Sequence, residues 1–167
     1  MQKIFWLREA RLAGRSGPNL DPWELPQFKE AGFAAILSVN DGEMVHGSQI
    51  EALGMAYANI PMSPNAPIRP GDKAQCLANL PQALAFIESQ FEAGPVLVHC
   101  RSGKDRTGLV LAASLMAFEG LGVEEAMDEV FKVRDIAFSA EGWVPFAREV
   151  LAAFAEQRQA ARCVGVA

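Results

Sequence analysis

Hydrophobic positions along the chain gather into short unbroken runs, separated by longer stretches with helical spacing. Ile4 to Leu7 is apolar and aromatic and predicts a first strand. The turn-rich stretch Gly14-Arg15-Ser16-Gly17-Pro18-Asn19 follows. Asp21-Pro22 then pairs an N-cap residue with proline at the first helical position, predicting a helix that ends near Ala31-Gly32. Ala34 to Val39 reads as a strand covered on both faces. Asn40-Asp41-Gly42 turns the chain into a short helix at Val45 to Leu53 and a third strand at Met55 to Ile60. Pro61, Pro64, Pro67 and Pro70 keep the next stretch a loop, long enough to suggest function. Asp72 can cap a helix running towards Phe91, which Pro81 should kink or interrupt. Pro95 to His99 is the clearest strand, and Leu109 to Phe118 is apolar almost all round, as in a buried helix. Two more helices are predicted at Val123 to Arg134 and Trp143 to Gln159. Strands alternating with helices predict an α/β fold, a three-layer sandwich with a central, mostly parallel sheet flanked by helices. Residues 1–167 read as a single domain.

Composition narrows the class. With 167 residues, half of them hydrophobic, the chain can bury a core without metal or disulfide support. A net charge of −5 argues against nucleic acid as a partner. Cys76, Cys100 and Cys163 form no Cys-x-x-C pair or Cys/His cluster, so no metal site and no cofactor is expected. The odd cysteine count suits a reducing compartment. No apolar run approaches the length of a secretory core or a membrane span, so the expectation is a cytoplasmic protein without membrane insertion.

The chemistry concentrates in Val98-His99-Cys100-Arg101-Ser102-Gly103-Lys104-Asp105-Arg106-Thr107-Gly108, between the best strand and the most buried helix. Ligands of α/β sheets bind at the carboxyl ends of strands, and a helix N-terminus offers unpaired N–H groups to an anion. From Arg101 to Arg106 three positive side chains face one negative one, a local +2 in a chain of −5. Cys100 enters this anion site at its base, where amide dipoles and guanidinium groups favour the nucleophilic thiolate. Arg106 can offer a planar fork to two oxygens of a tetrahedral oxyanion. Thr107 can donate its hydroxyl to the sulfur and ease expulsion of the thiolate. Arg101, Ser102, Gly103, Lys104 and Thr107 are the expected substrate-binding residues.

The run His-Cys-x5-Arg-Thr-Gly resembles the signature of the cysteine-based phosphatases, the protein tyrosine and dual-specificity enzymes in particular. Arg11-Leu12-Ala13-Gly14, Leu25-Pro26, Ile36-Leu37-Ser38-Val39, Tyr57 to Pro61 and Phe86-Ile87 resemble landmarks of small dual-specificity enzymes in the same order. The resemblance implies a phosphotyrosine phosphatase-like fold and a metal-free, two-step mechanism. Cys100 would form a cysteinyl-phosphate, Arg106 and the loop amides would hold the equatorial oxygens, and a general acid would protonate the leaving group. The substrate would be a phosphorylated protein or a small phosphomonoester. Phosphoinositides or another small polyanion are the variant that Lys104 and Arg101 favour.

In the family the general acid is an aspartate on a mobile loop. The matching stretch here, Ile60-Pro61-Met62-Ser63-Pro64-Asn65-Ala66-Pro67, holds no carboxylate. Asp72 lies 28 residues before Cys100, near the expected separation, and also fits a helix cap. Asp105 is the rival; Lys104-Asp105-Arg106 resembles phosphatases in which the matching aspartate is proposed as acid. A phosphate-binding module with weak turnover and no dedicated acid is the third reading, and sulfur transfer a rival chemistry. His99 is expected to shape the loop and His46 to lie on the surface. Cys76, Trp143 and Phe146 are expected to pack.

Overall fold

The computed structural model describes residues 3–165; Met1, Gln2, Val166 and Ala167, which belong to the predicted domain, lie outside the described residues. Five strands form one sheet: β1 (Phe5–Arg8), β2 (Leu12–Ser16), β3 (Ala35–Ser38), β4 (Ala56–Asn59) and β5 (Val96–Cys100). Their order is β1-β2-β5-β3-β4, with β1 antiparallel to β2 and every other pairing parallel. Six α-helices flank it: α1 (Leu25–Glu30), α2 (Gly47–Ala52), α3 (Asp72–Gln90), α4 (Asp105–Glu119), α5 (Val123–Val133) and α6 (Trp143–Gly165).

Alternation along the central strands divides the core. Ala35, Leu37, Val96, Val98 and Cys100 join the larger cluster, with residues of α3 to α6. Ile36 and Leu97 point the other way, to Phe28 of α1 and Ile50 of α2. The same alternation sends Cys100 and His99 to opposite faces, with Cys100 at the end of the central strand.

The strand-and-helix pattern predicted most of this architecture, with three departures. Leu12–Ser16, whose later residues read as turn-rich, is a fully buried strand. Its polar and small residues have tertiary reasons. Phe5 lies across Gly14, where a Cβ would come within 2.2 Å of the ring. Arg15 gives its guanidinium hydrogens to the carbonyls of Ser16 and Asp21. The first helix begins at Leu25 with Pro26 in its first turn, because the Asp21 carboxylate is taken by Lys3 and Ser16. Pro81 does not end α3; it sits on the exposed side, where a missing backbone hydrogen bond costs least.

Candidate active site

The carboxyl ends of β2, β5 and β3 converge on the segment between β5 and α4. Cys100 ends β5 and is 2% exposed. One turn into α4, the Thr107 hydroxyl donates to Cys100 Sγ at 3.1 Å. Arg106, beside it, donates from Nε to the Ser63 carbonyl at 2.6 Å. The Arg106 guanidinium lies 4.8 Å from the Trp143 ring centroid and 3.7 Å, from Nη1, to Asp105 Oδ2. Strand, helix start and the 61–71 loop thus bring thiol, hydroxyl and guanidinium together.

The connecting loop is held from outside through its carbonyls. His99 Nδ1 bonds the Cys100 carbonyl at 2.9 Å, and Gly17 N–H donates to that of Arg101 at 3.0 Å. Arg134, just past α5, donates from Nη2 to the Ser102 carbonyl at 2.8 Å and from Nε to that of Gly103 at 3.2 Å. Two glycines permit the close approaches. A Cβ on Gly17 would lie 2.6 Å from the Cys100 oxygen. Gly103, at φ +65°, touches the end of β2, where a Cβ would lie 2.7 Å from the Arg15 carbonyl carbon.

Behind Cys100, on the α1/α2 face, a hydrogen-bonded line crosses three strands. Parallel register sets Ser38 beside His99, whose Nε2 is 2.6 Å from Ser38 Oγ. Ser38 Oγ is in turn 2.7 Å from the Tyr57 hydroxyl. A carbonyl only accepts, so His99 Nδ1 carries the hydrogen, Nε2 accepts from Ser38, and Ser38 accepts from Tyr57. Burial lowers the His99 pKa to about 4, which fits this neutral tautomer. Trp23 closes the line edge-on, 4.6 Å from the imidazole.

The two carboxylates differ. Asp72, 4% exposed, accepts from Asn65 Nδ2 at 2.8 Å on one oxygen and from the Arg69 N–H at 2.6 Å on the other. Burial alone would raise its pKa, but hydrogen bonds from Arg69, Asn65 and Ser63 hold it below the ordinary carboxylate range. Gly71, not Asp72, is the helix cap residue; Asp72 opens the first turn and ties down the loop before it. Asp105, equally buried, accepts the Ala140 N–H on Oδ1 at 3.2 Å and turns Oδ2 towards Arg106.

Of the expected substrate-binding residues, Ser102 and Gly103 lie in this loop, Thr107 lies in the first turn of α4, and Arg101 is exposed at the loop's rim. The Lys104 side chain donates to Ser139 Oγ at 2.9 Å. Trp143, read from sequence as packing, is fully buried, yet it also lies against Arg106 and donates from Nε1 to the Asn65 carbonyl. Arg134 had no local signal in the sequence, and Ser38 stood out only within the landmark Ile36-Leu37-Ser38-Val39. Cys76 is buried in the core, and burial pushes its thiol pKa up; His46 is exposed. Among the described residues, no group of three or more His, Cys, Asp or Glu side chains could hold a metal, and no helix is long and apolar enough to cross a membrane.

A thiol at the end of a central strand, an arginine opening the next helix and an amide loop between them define a cysteine-based phosphatase architecture. The family model for the catalytic domain of dual specificity phosphatases matches residues 21–148, and the chain belongs to that family. It is 28% identical over 118 residues to dual specificity protein phosphatase 12 of Rattus norvegicus, matching 70% of this chain and 32% of that protein. The Homo sapiens protein of the same name is 28% identical over 123 residues, 72% of this chain and 34% of the relative. The chain thus spans about a third of the length of these relatives. Solved structures of the same fold include Tk-PTP in its active form, at TM-score 0.72 and 25% identity, covering 93% of this chain and 97% of that one. Human DUSP28 superposes at TM-score 0.72 and 23% identity, over 95% and 97% of the two chains. PTPMT1 does so at 0.75 and 18%, over 96% and 98%.

Proposed function

We propose that the chain hydrolyses phosphate monoesters, phosphotyrosine in proteins first among them, through a cysteinyl-phosphate on Cys100. The observation that carries this reading is the grouping of the Cys100 sulfur, the Thr107 hydroxyl and the Arg106 guanidinium at one strand end. Cys100 attacks phosphorus in line, forming the S–P bond as the ester P–O bond breaks and the alcohol leaves with a proton from the general acid. The equatorial oxygens accept hydrogen bonds from the loop amides and the Arg106 fork. Water then gives a proton to the same carboxylate that served as acid and attacks phosphorus; the S–P bond breaks, releasing phosphate and returning the thiolate. For the general acid we assign Asp105, because Oδ1 is fixed by Ala140 while Oδ2 faces Arg106; Asp72 has both oxygens engaged. Among the substrate-binding residues, Ser102 and Gly103 act from the loop, Thr107 from the first turn of α4 and Arg101 from the loop's rim.

Phosphoinositides are the weaker variant. PTPMT1, of the same fold, has been solved in complex with PI(5)P, but here Lys104, one of the two extra charges favouring a polyanion, is bonded to Ser139. All three cysteines are free, and a nucleophilic thiol needs reducing surroundings, which supports a cytoplasmic setting. Turnover of p-nitrophenyl phosphate, phosphotyrosine and phosphoserine peptides and inositol lipids, measured side by side, tests the assignment. Aryl phosphates should be hydrolysed fastest, and Cys100→Ser should abolish all turnover; an active Cys100→Ser protein would falsify the mechanism.

A further inference from the structure

The α5–α6 connection contacts the anion loop along much of its length. Arg134 takes the carbonyls of Ser102 and Gly103, Ser139 takes Lys104, and Ala140 N–H takes Asp105. Phe138, at φ +60°, lies against Gly108, where a Cβ would be 3.0 Å from its ring. The consequence lies in peptide geometry. In a trans peptide the C=O and the following N–H point in opposite directions. The four carbonyls from Cys100 to Gly103 are all taken by groups outside the loop, so each following N–H, from Arg101 to Lys104, points away from the group that takes its carbonyl. Two of those four orientations, Gly103 and Lys104, depend on one side chain from another element.

We infer that Arg134 is a positioning residue that holds the Gly103 and Lys104 amides facing the phosphate site before any anion arrives. Its guanidinium suits the task, since the fixed spacing of Nε and Nη2 spans two successive carbonyls as a single ammonium does not. The Phe5 ring, 5.3 Å from the guanidinium carbon, holds it from β1. Without Arg134 these carbonyls lose their donors, and the two peptide planes are free to rotate. An anion must then reorder them, so oxyanion affinity falls together with turnover. The inference rests on the anion-site reading above and goes beyond it in giving this role to a residue outside the signature.

Tungstate, a phosphate-shaped oxyanion, is the probe. Binding is measured by calorimetry on the full chain, alongside thermal unfolding and p-nitrophenyl phosphate kinetics. Arg134→Met keeps the length and removes the donors; it should weaken tungstate and lower kcat/KM by about tenfold or more, with unfolding still cooperative. Arg134→Lys, which keeps the charge but cannot span both carbonyls, should recover only part of the loss. Phe5→Leu should lower Tm yet leave tungstate within about twofold, since the carbonyl bonds remain. Folded Arg134→Met with tungstate affinity within about twofold of wild type overturns the inference. If that variant does not fold, an Arg134→Lys protein with wild-type affinity overturns it equally. Because binding is read apart from turnover, a wild type that binds tungstate without hydrolysing esters defeats only the phosphatase reading. A wild type that does not bind tungstate defeats both.

Discussion

The Thr107 hydroxyl points its hydrogen at the Cys100 sulfur across 3.1 Å, linking the first turn of α4 to the last residue of β5. Both residues are buried. A hydroxyl donated to sulfur matters most when the sulfur carries charge, as the proposed mechanism requires before attack and again as the S–P bond breaks. Replacing Thr107 with Val keeps the shape and removes the donor. Breakdown of the cysteinyl-phosphate should slow by about tenfold, the value of a hydrogen bond to a charged group, and turn p-nitrophenol release into a burst followed by a slow phase. Unchanged kcat without a burst would show that this hydrogen bond does not assist the second step.

His99 makes a separate prediction, in pH. Its pKa is 6.5 in an exposed chain and about 4 when folded, because burial disfavours the imidazolium. The unfolded chain therefore binds the extra proton more readily. The stabilisation from keeping His99 neutral is complete above pH 6.5 and is lost as pH falls from there towards 4, by about 3 kcal/mol. Urea unfolding between pH 7 and pH 4 should show that decline in wild type and a shallower one in His99→Gln. Parallel slopes in the two proteins would count against the assignment.

Gly103 should tolerate no side chain. Its φ of +65° disfavours an L residue, and a Cβ would meet the β2 backbone at 2.7 Å. That backbone belongs to a strand paired on both sides and cannot yield as a flexible side chain would. Gly103→Ala should cost about 1–3 kcal/mol of stability and lower kcat/KM by more than its effect on folding, since the loop must move off β2. Stability and kinetics both at wild-type levels would show the loop to be more pliant than these contacts allow.

What the sequence revealed and what it concealed have separate physical causes. The strand at Ala34 to Val39, the strand at Pro95 to His99 and the helix after it were legible because local hydrophobic runs mark them. Cys100 and Arg106 stood out in the sequence because the loop that joins them is contiguous in the chain. β2 was concealed because its glycine, arginine and serine are explained only by Phe5, Asp21 and β5, residues distant in sequence. For Arg134, Ser38, Tyr57 and the inner side of Trp143 the role at the site was concealed for the same reason, since each reaches the site across another element. The 61–71 loop was legible as a loop, but not the role of Ser63, which acts through its backbone carbonyl and so carries no side-chain signature.

The two carboxylates can be separated by the leaving group. An acid that protonates the departing oxygen matters greatly for an alkyl ester and little for p-nitrophenol, which leaves readily as an anion. If Asp105 is the acid, Asp105→Asn should slow phosphoserine or phosphotyrosine peptides far more than p-nitrophenyl phosphate. Asp72 works differently. It ties Asn65 and Arg69 together below Ser63, whose carbonyl holds Arg106, so its loss should loosen the guanidinium for every substrate alike. Asp72→Asn should therefore lower kcat/KM without regard to leaving group and cost about 1–3 kcal/mol of stability. Because its folded pKa lies below the ordinary value of 3.8, that stabilisation is present above about pH 4 and is lost as pH falls further. A leaving-group dependence that appears in Asp72→Asn and not in Asp105→Asn would reverse the assignment and make Asp72, at the start of α3, the acid. If it appears in neither, the leaving oxygen departs without help from either carboxylate, and hydrolysis is confined to esters of acidic alcohols such as phenols.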